Sequence, residues 1–203
     1  MAAPLKLAAA IDSLNRHAAV VANWLVLGAA LVCAFDAFLR YTLTSLLATA
    51  AYLGPKGQIF VQIFDFYRNN SNALRDLQLV MFAGMVLLGA SWTLKLNEHV
   101  RVDLLYARWS DKGRDWIDLL GALLFLIPFC LILIRFSWPW FLEAWSGDEL
   151  SQNAGGLPRW PIKGLVPLGM SLLLLQAVSE IIKCVASIFW NIRREHAYEK
   201  PVQ

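Results

Sequence analysis

The stretch "WTLKLNEHVRVDLLYARWS", residues 92–110, holds Lys95, Glu98, His99, Arg101, Asp103 and Arg108. A carboxylate, an imidazole, a guanidinium and a second carboxylate fall within the six positions 98–103. That is the side-chain set of an acid–base active site. Two other readings compete with it. The stretch is an ordinary solvated turn, or it is a docking hairpin that anchors a chain where it leaves a membrane. Neighbours in sequence do not by themselves converge on a substrate, and no pocket-forming domain accompanies them. The flanking segments favour the docking hairpin, with Arg101 and Arg108 meeting lipid phosphates or partner carboxylates and Trp109 seated beside them in the interface.

Those flanks are apolar. Hydrophobic residues make up 58% of the 203-residue chain and charged residues only 16%, against about 25% charged in a typical soluble domain. Charge is segregated into short windows, the pattern of membrane spans joined by polar loops. Four spans are expected, at about 18–39, 77–96, 117–137 and 165–185, each close to the ~20 residues that cross a hydrocarbon core. Backbone amides in lipid are satisfied internally, so the spans are helices. Pro128 should kink the third helix, and Ser110 or Asp111 should cap its start. The fold class is thus an all-α integral membrane protein with four transmembrane helices in one domain, 1–203, plus short interfacial helices. The first span reads as an uncleaved anchor, since its apolar core exceeds the ~7–15 residues of a signal peptide.

Four spans put both termini on one side. With both inside, the cytoplasmic pieces carry eleven of the eighteen basic residues, including Lys95, Arg101, Arg108, Lys112 and Arg114 around the middle loop. The positive-inside rule therefore places both termini in the cytoplasm. Tryptophans form two expected belts, Trp24, Trp92, Trp109, Trp116 and Trp190 at one interface and Trp138, Trp140, Trp145 and Trp160 at the other. The outer stretch of about 43–67 reads as a loop insertion. Its segment "QIFVQIFDFY" sets Ile59, Phe60, Ile63, Phe64 and Tyr67 on one helical face, as in a helix lying in the interface or against a partner, and "GPKG" before it signals a turn.

The spans lack ionisable groups at mid-depth, which argues against a self-contained transporter or channel. Asp36 and Arg40 form an i, i+4 pair at the outer end of the first span. Ser171, Gln176 and Ser179 suit helix–helix hydrogen bonds. His17, His99 and His196 all lie outside the apolar core, so no bis-histidine haem site forms and a membrane redox subunit is disfavoured. Cys33, Cys130 and Cys184 read as buried, inert thiols. No cofactor or metal is expected. The net charge of +3 forms no dense basic block, so nucleic acid is not an expected partner.

The segments "NNSNALRDLQLVMF", "GASWTLKLNEHVRVDLLYARWS", "WIDLLGALLFLIPF" and "SQNAGGLPRWPIKGLVPLGMSLLLLQAVSEIIK" occur in this order. Together they resemble the small membrane subunit of tripartite ATP-independent periplasmic (TRAP) transporters, the DctQ-like family. The resemblance covers roughly 18–40 and 68–185. It implies a non-enzymatic subunit of the bacterial inner membrane that packs against the scaffold of a large DctM-like membrane subunit. That complex takes up an organic acid with sodium, delivered by a periplasmic binding protein. From the residues themselves, the candidate subunit or lipid interface is Arg40, Glu98, His99, Arg101, Asp103, Arg108 and Trp109, with membrane phospholipids as neighbours. The sequence departs from the family pattern where many members carry an acidic pair and this chain has Arg75 and Asp76, and in the 43–67 insertion. "NNSNA" and "SQNAGG" resemble the branch serving dicarboxylates or 2-oxo acids.

Overall fold

The computed structural model describes residues 2–53, 57–96 and 109–190. They form α1 (Ala2–Leu53), α2 (Gln58–Leu96), α3 (Asp111–Gly121), a π-helical turn (Ala122–Leu126), α4 (Ile127–Ser146) and α5 (Trp160–Trp190). α3, the π turn and α4 run on as one rod, giving four helices long and apolar enough to cross a membrane.

α5 is the hub and packs against α1, α2, α3 and α4. Its inward face is small or polar where neighbours come closest. A Cβ on Gly169 would stand 2.7 Å from Leu87 Cβ and 2.8 Å from the Leu87 carbonyl oxygen, so the glycine sets the α2–α5 separation. Small residues permit such approach, and close packing is what holds helices together where lipid removes the hydrophobic drive between them. Ala22, Leu88 and Leu172 form the buried core between α1, α2 and α5, with Ala18 and Leu25 against it. On α4 the buried positions are Cys130, Ser137 and Ala144, a seven-residue repeat that keeps one small seam on α5.

α1 corrects the expected outer loop. Its 52 residues extend about 78 Å at ~1.5 Å per residue, far beyond the ~30 Å of a hydrocarbon core. The stretch 43–67 is therefore not a loop carrying separate short helices. Its first half is the end of α1 and its second the start of α2, and the expected "GPKG" turn lies largely outside the described residues. "YTLTSLLATAAYL" contains no glycine, proline or asparagine to stop a helix. The proposed apolar stripe divides. Phe60, Phe64 and Tyr67 are half-buried, while Ile59 and Ile63 stay exposed.

The third span behaves as its proline requires. Pro128 has no N–H and its ring crowds the carbonyl four residues earlier. The chain accommodates this with the π turn just before it, where the Ile127 N–H reaches back five residues to Ala122 O. Ser110 is the N-cap of α3, and its Oγ accepts from Gly113 N at 3.3 Å.

Candidate functional site

Polar side chains gather at the two ends of the bundle, each gathering tying helices together. At one end α1 contributes Asp12 and Asn15, α2 contributes Lys95, and α5 contributes Gln176, Ser179, Glu180 and Lys183. The α5 residues are spaced i, i+3, i+4 and i+7, one face of a helix. Lys183 Nζ donates to Asp12 Oδ2 and Glu180 Oε1, both at 2.8 Å. Lys95 Nζ lies 3.6 Å from Asp12 Oδ2 and 4.5 Å from the centre of the Trp92 ring. Ser179 Oγ donates to Asp12 Oδ1 at 2.9 Å.

The amide orientations follow from the charges. Gln176 Nε2 donates to Asp12 Oδ1 and Glu180 Oε1, each at 3.0 Å, since ionised carboxylates only accept. Its Oε1 is thereby turned toward α1 and accepts from Asn15 Nδ2 at 2.7 Å. Asn15 and Gln176 are wholly buried, and Asn15 Oδ1 has no partner. Two acids and two bases make the cluster neutral, which is what a poorly solvated site tolerates. Beside it Ser187 of α5 donates to the buried Asp115 carboxylate of α3.

At the other end the connection between α4 and α5 folds back on α2. Leu150 and Pro158 form an isolated antiparallel bridge, closed by Ser151 N to Leu157 O at 3.0 Å and Arg159 N to Glu149 O at 2.8 Å. The tip turns through Gly155 at φ +71°, a left-handed conformation that glycine adopts without a Cβ penalty. Asn72 Nδ2 donates to Ala154 O at 3.0 Å and Leu157 N donates to Asp76 Oδ2 at 3.0 Å. A Cβ on Gly156 would lie 2.5 Å from Asp76 Oδ2. Asp76, the acidic member of the Arg75–Asp76 pair noted in the sequence, is thus the acceptor that seats this loop. Glu149 pairs with Lys163 and, at 3.6 Å, with Arg159. The Lys163 ammonium beside it holds the Glu149 carboxyl below the usual carboxylate range.

Aromatic rings surround this second end. Trp145 meets Trp160 edge-on at 4.6 Å, Phe141 bridges Trp138 and Trp145 at 5.9 and 6.0 Å, and Lys163 sits 4.6 Å over Trp140. Trp138, Trp140, Trp145 and Trp160, expected together at one interface, thus lie together at one end of the bundle. Trp24 departs from the expected inner belt. Its neighbour Leu25 reaches Gly84, where an added Cβ would lie 2.7 Å from Leu25 Cδ1. That level is eight residues along α2 from Trp92, because the helix containing Trp24 begins well before the expected span. Cys130 and Cys184 are buried, but Cys33 is exposed.

Of the interface residues read from the sequence, Arg40 is paired with Asp36 at 2.9 Å. Tyr67 OH on α2 donates to Asp36 Oδ1 at 2.7 Å, so the pair also fastens α1 to α2. Trp109 is exposed and folds over the first turn of α3, 3.1 Å from where a Gly113 Cβ would stand. Glu98, His99, Arg101, Asp103 and Arg108 lie outside the described residues. A cavity of about 540 Å³ opens between α2, α4 and α5, lined by Val80, Trp138, Phe141, Trp160, Leu168 and Ser171 among others, with no titratable side chain in its wall.

Such a chain is a multi-pass helical membrane protein in which the polar clusters knit its own helices. The chain belongs to the DctQ family of small TRAP-transporter membrane subunits. The family described as "Tripartite ATP-independent periplasmic transporters, DctQ component" matches residues 57–187. No curated protein and no solved structure matches the chain.

Proposed function

We propose that this chain is the small permease subunit of a TRAP transporter in the bacterial inner membrane, with both termini cytoplasmic. It packs against and stabilises the scaffold of a large DctM-like subunit. That subunit carries an organic acid inward with sodium, after a periplasmic binding protein delivers it. One observation carries the reading. The buried charges at the inner cluster are committed to holding this chain's own helices, while long apolar faces of α1 and α4 stay exposed. A chain built in this way is a partner for another membrane protein, not a carrier by itself.

Glu98, His99, Arg101, Asp103, Arg108 and Trp109 are proposed to dock the hairpin between α2 and α3 to that subunit or to lipid headgroups. Arg101 is the main electrostatic contact, since a charged, partly buried hydrogen bond is worth ~1.5–3 kcal/mol and an exposed ion pair ~0–1 kcal/mol. The test is coexpression with the neighbouring large permease, copurification, and sodium-driven uptake in liposomes with the binding protein. The pair should take up an organic acid and the small subunit alone should not. Arg101→Ala should lower copurification, and Lys112→Ala should not. Uptake by this chain alone would favour a self-contained transporter instead.

A further inference from the structure

α1 presents most of its circumference away from the bundle. Along its outward side Trp24, Leu27, Leu31, Phe38 and Tyr41 are 67%, 49%, 62%, 65% and 78% exposed. With the exposed Ala34 they repeat at intervals of 3, 4, 3, 4 and 3, the spacing of a seam that receives a second helix. The seam rises about 26 Å at ~1.5 Å per residue.

Two features exclude lipid as its sole covering. Asn23, beside Trp24 on the exposed side, has no hydrogen-bond partner among the described residues. The Leu25–Gly84 contact places it level with the middle of the apolar part of α2. An amide facing hydrocarbon without a partner is unfavourable, and asparagine is one of the side chains that bond across membrane helices. The last part of the seam rises past the level of the polar loop. Met81 touches the Gly28 position, and following that antiparallel register five residues each way sets Asp76 beside Cys33. Asp76 seats the polar loop at the outer end, so Phe38 and Tyr41 stand beyond that level, where lipid would not cover them.

The exposed face of α4 differs. Its large residues Phe129 and Phe136 have no exposed amide beside them, and the exposed Arg135 next to Phe136 has a stem long enough to carry its charge toward the membrane surface, so lipid suffices there. On α1, aromatic side chains that each bury about 150–250 Å² bring the seam near the about 800 Å² a side of a standard interface.

We infer that the outward face of α1, centred on Asn23 and running from Trp24 to Tyr41, receives a membrane-crossing helix of the large permease subunit. That helix bears a hydrogen-bonding side chain opposite Asn23 and continues past the outer membrane surface. The inference rests on the proposed function and names the surface that performs it.

A photo-crosslinking amino acid is placed singly at Trp24, Leu31 and Phe38, and for contrast at Phe129 and Phe136, in the full chain coexpressed with the large permease. Adducts with the large subunit are expected from all three α1 positions and not from the α4 positions. Asn23→Leu is the second arm. It should leave recovery of this chain expressed alone unchanged or improved, yet lower copurification of the large subunit on the order of tenfold, the worth of one interhelical hydrogen bond. Asn23→Gln should retain more of it. Several results would overturn the seam: adducts from α4 but not α1, adducts between two copies of this chain, adducts with the binding protein from Phe38 alone, or unchanged copurification of Asn23→Leu. Failure of the unsubstituted pair to copurify would instead reject the proposed function itself.

Discussion

Lys183 Nζ stands 2.8 Å from Asp12 Oδ2 and 2.8 Å from Glu180 Oε1, so a single ammonium on α5 bridges its own helix and the beginning of α1. With Lys95 at 3.6 Å, the four charges cancel. Removal of any one leaves a residual charge in a poorly solvated place.

Lys183→Met is accordingly expected to destabilise the isolated subunit by about 3 kcal/mol, the lower end for breaking a buried pair. Asp12→Asn should cost a similar amount. The double variant should cost much less than the two together, because it restores neutrality. Thermal unfolding in mild detergent measures all three. Additive losses would mean that the two residues do not act as a pair.

At the opposite end of the bundle, Asp76→Leu removes the acceptor for Leu157 N, and Gly156→Val drives a branched side chain into the same carboxylate. Both should free the loop and speed amide exchange and proteolysis across residues 150–158, with α5 intact. Asp76→Asn, which keeps an acceptor oxygen, should be mild.

Glu149 gives this loop a pH dependence. Its carboxyl is held below the usual range by Lys163 and then Arg159. A depressed folded value means that the contribution is complete above the usual carboxylate range. It is lost as pH falls through the lowered value. Loop exchange should therefore rise only on acidification below the ordinary carboxylate range, and Glu149→Gln should remove that acid step.

Two glycines should respond oppositely to alanine. Gly169→Ala must push against Leu87 backbone and should cost ~1–3 kcal/mol, as overpacking does. Gly121→Ala meets nothing within 4 Å and should be neutral or gain up to ~1 kcal/mol in helix propensity. Unfolding midpoints of the two variants provide the comparison.

The four helices were legible because charge-free runs of membrane length leave few alternatives, and the α3 cap was legible from Ser110 ahead of the polar turn. Ser179 and Gln176 were legible as helix–helix partners. Asp12 was not, because counting a span from Ala18 consigned it to a loop. The polar face Gln176, Ser179, Glu180 and Lys183 required an acidic partner, and its spacing was the signal that pointed to one. The length of α1 was missed for a related reason. Membrane thickness sets a minimum for a helix and no maximum, and nothing between Arg40 and Leu53 breaks one. The exposed side of Cys33 and Trp24 depends on which way α1 is rotated, which only its packing on α2 decides.

The π turn at Ala122–Leu126 has a consequence for how the third rod must be read. Its second half is seated by Cys130, Ser137 and Ala144. Continued backwards in sevens, that repeat would arrive at Leu123 and Trp116, which are exposed; Asp115, one position earlier, is buried instead. The extra residue in the turn advances the register by one, about 100° of rotation. The rod therefore holds α5 in two reading frames, and the joint between them lets each end take its own grip. Excising one residue from 122–126 would leave a plain α-helix with Asp115 two heptads before Cys130, still facing Ser187, whereas straightening the turn without excision would swing Trp116 against α5 and turn Asp115 away, although every side chain named in either contact would still be present.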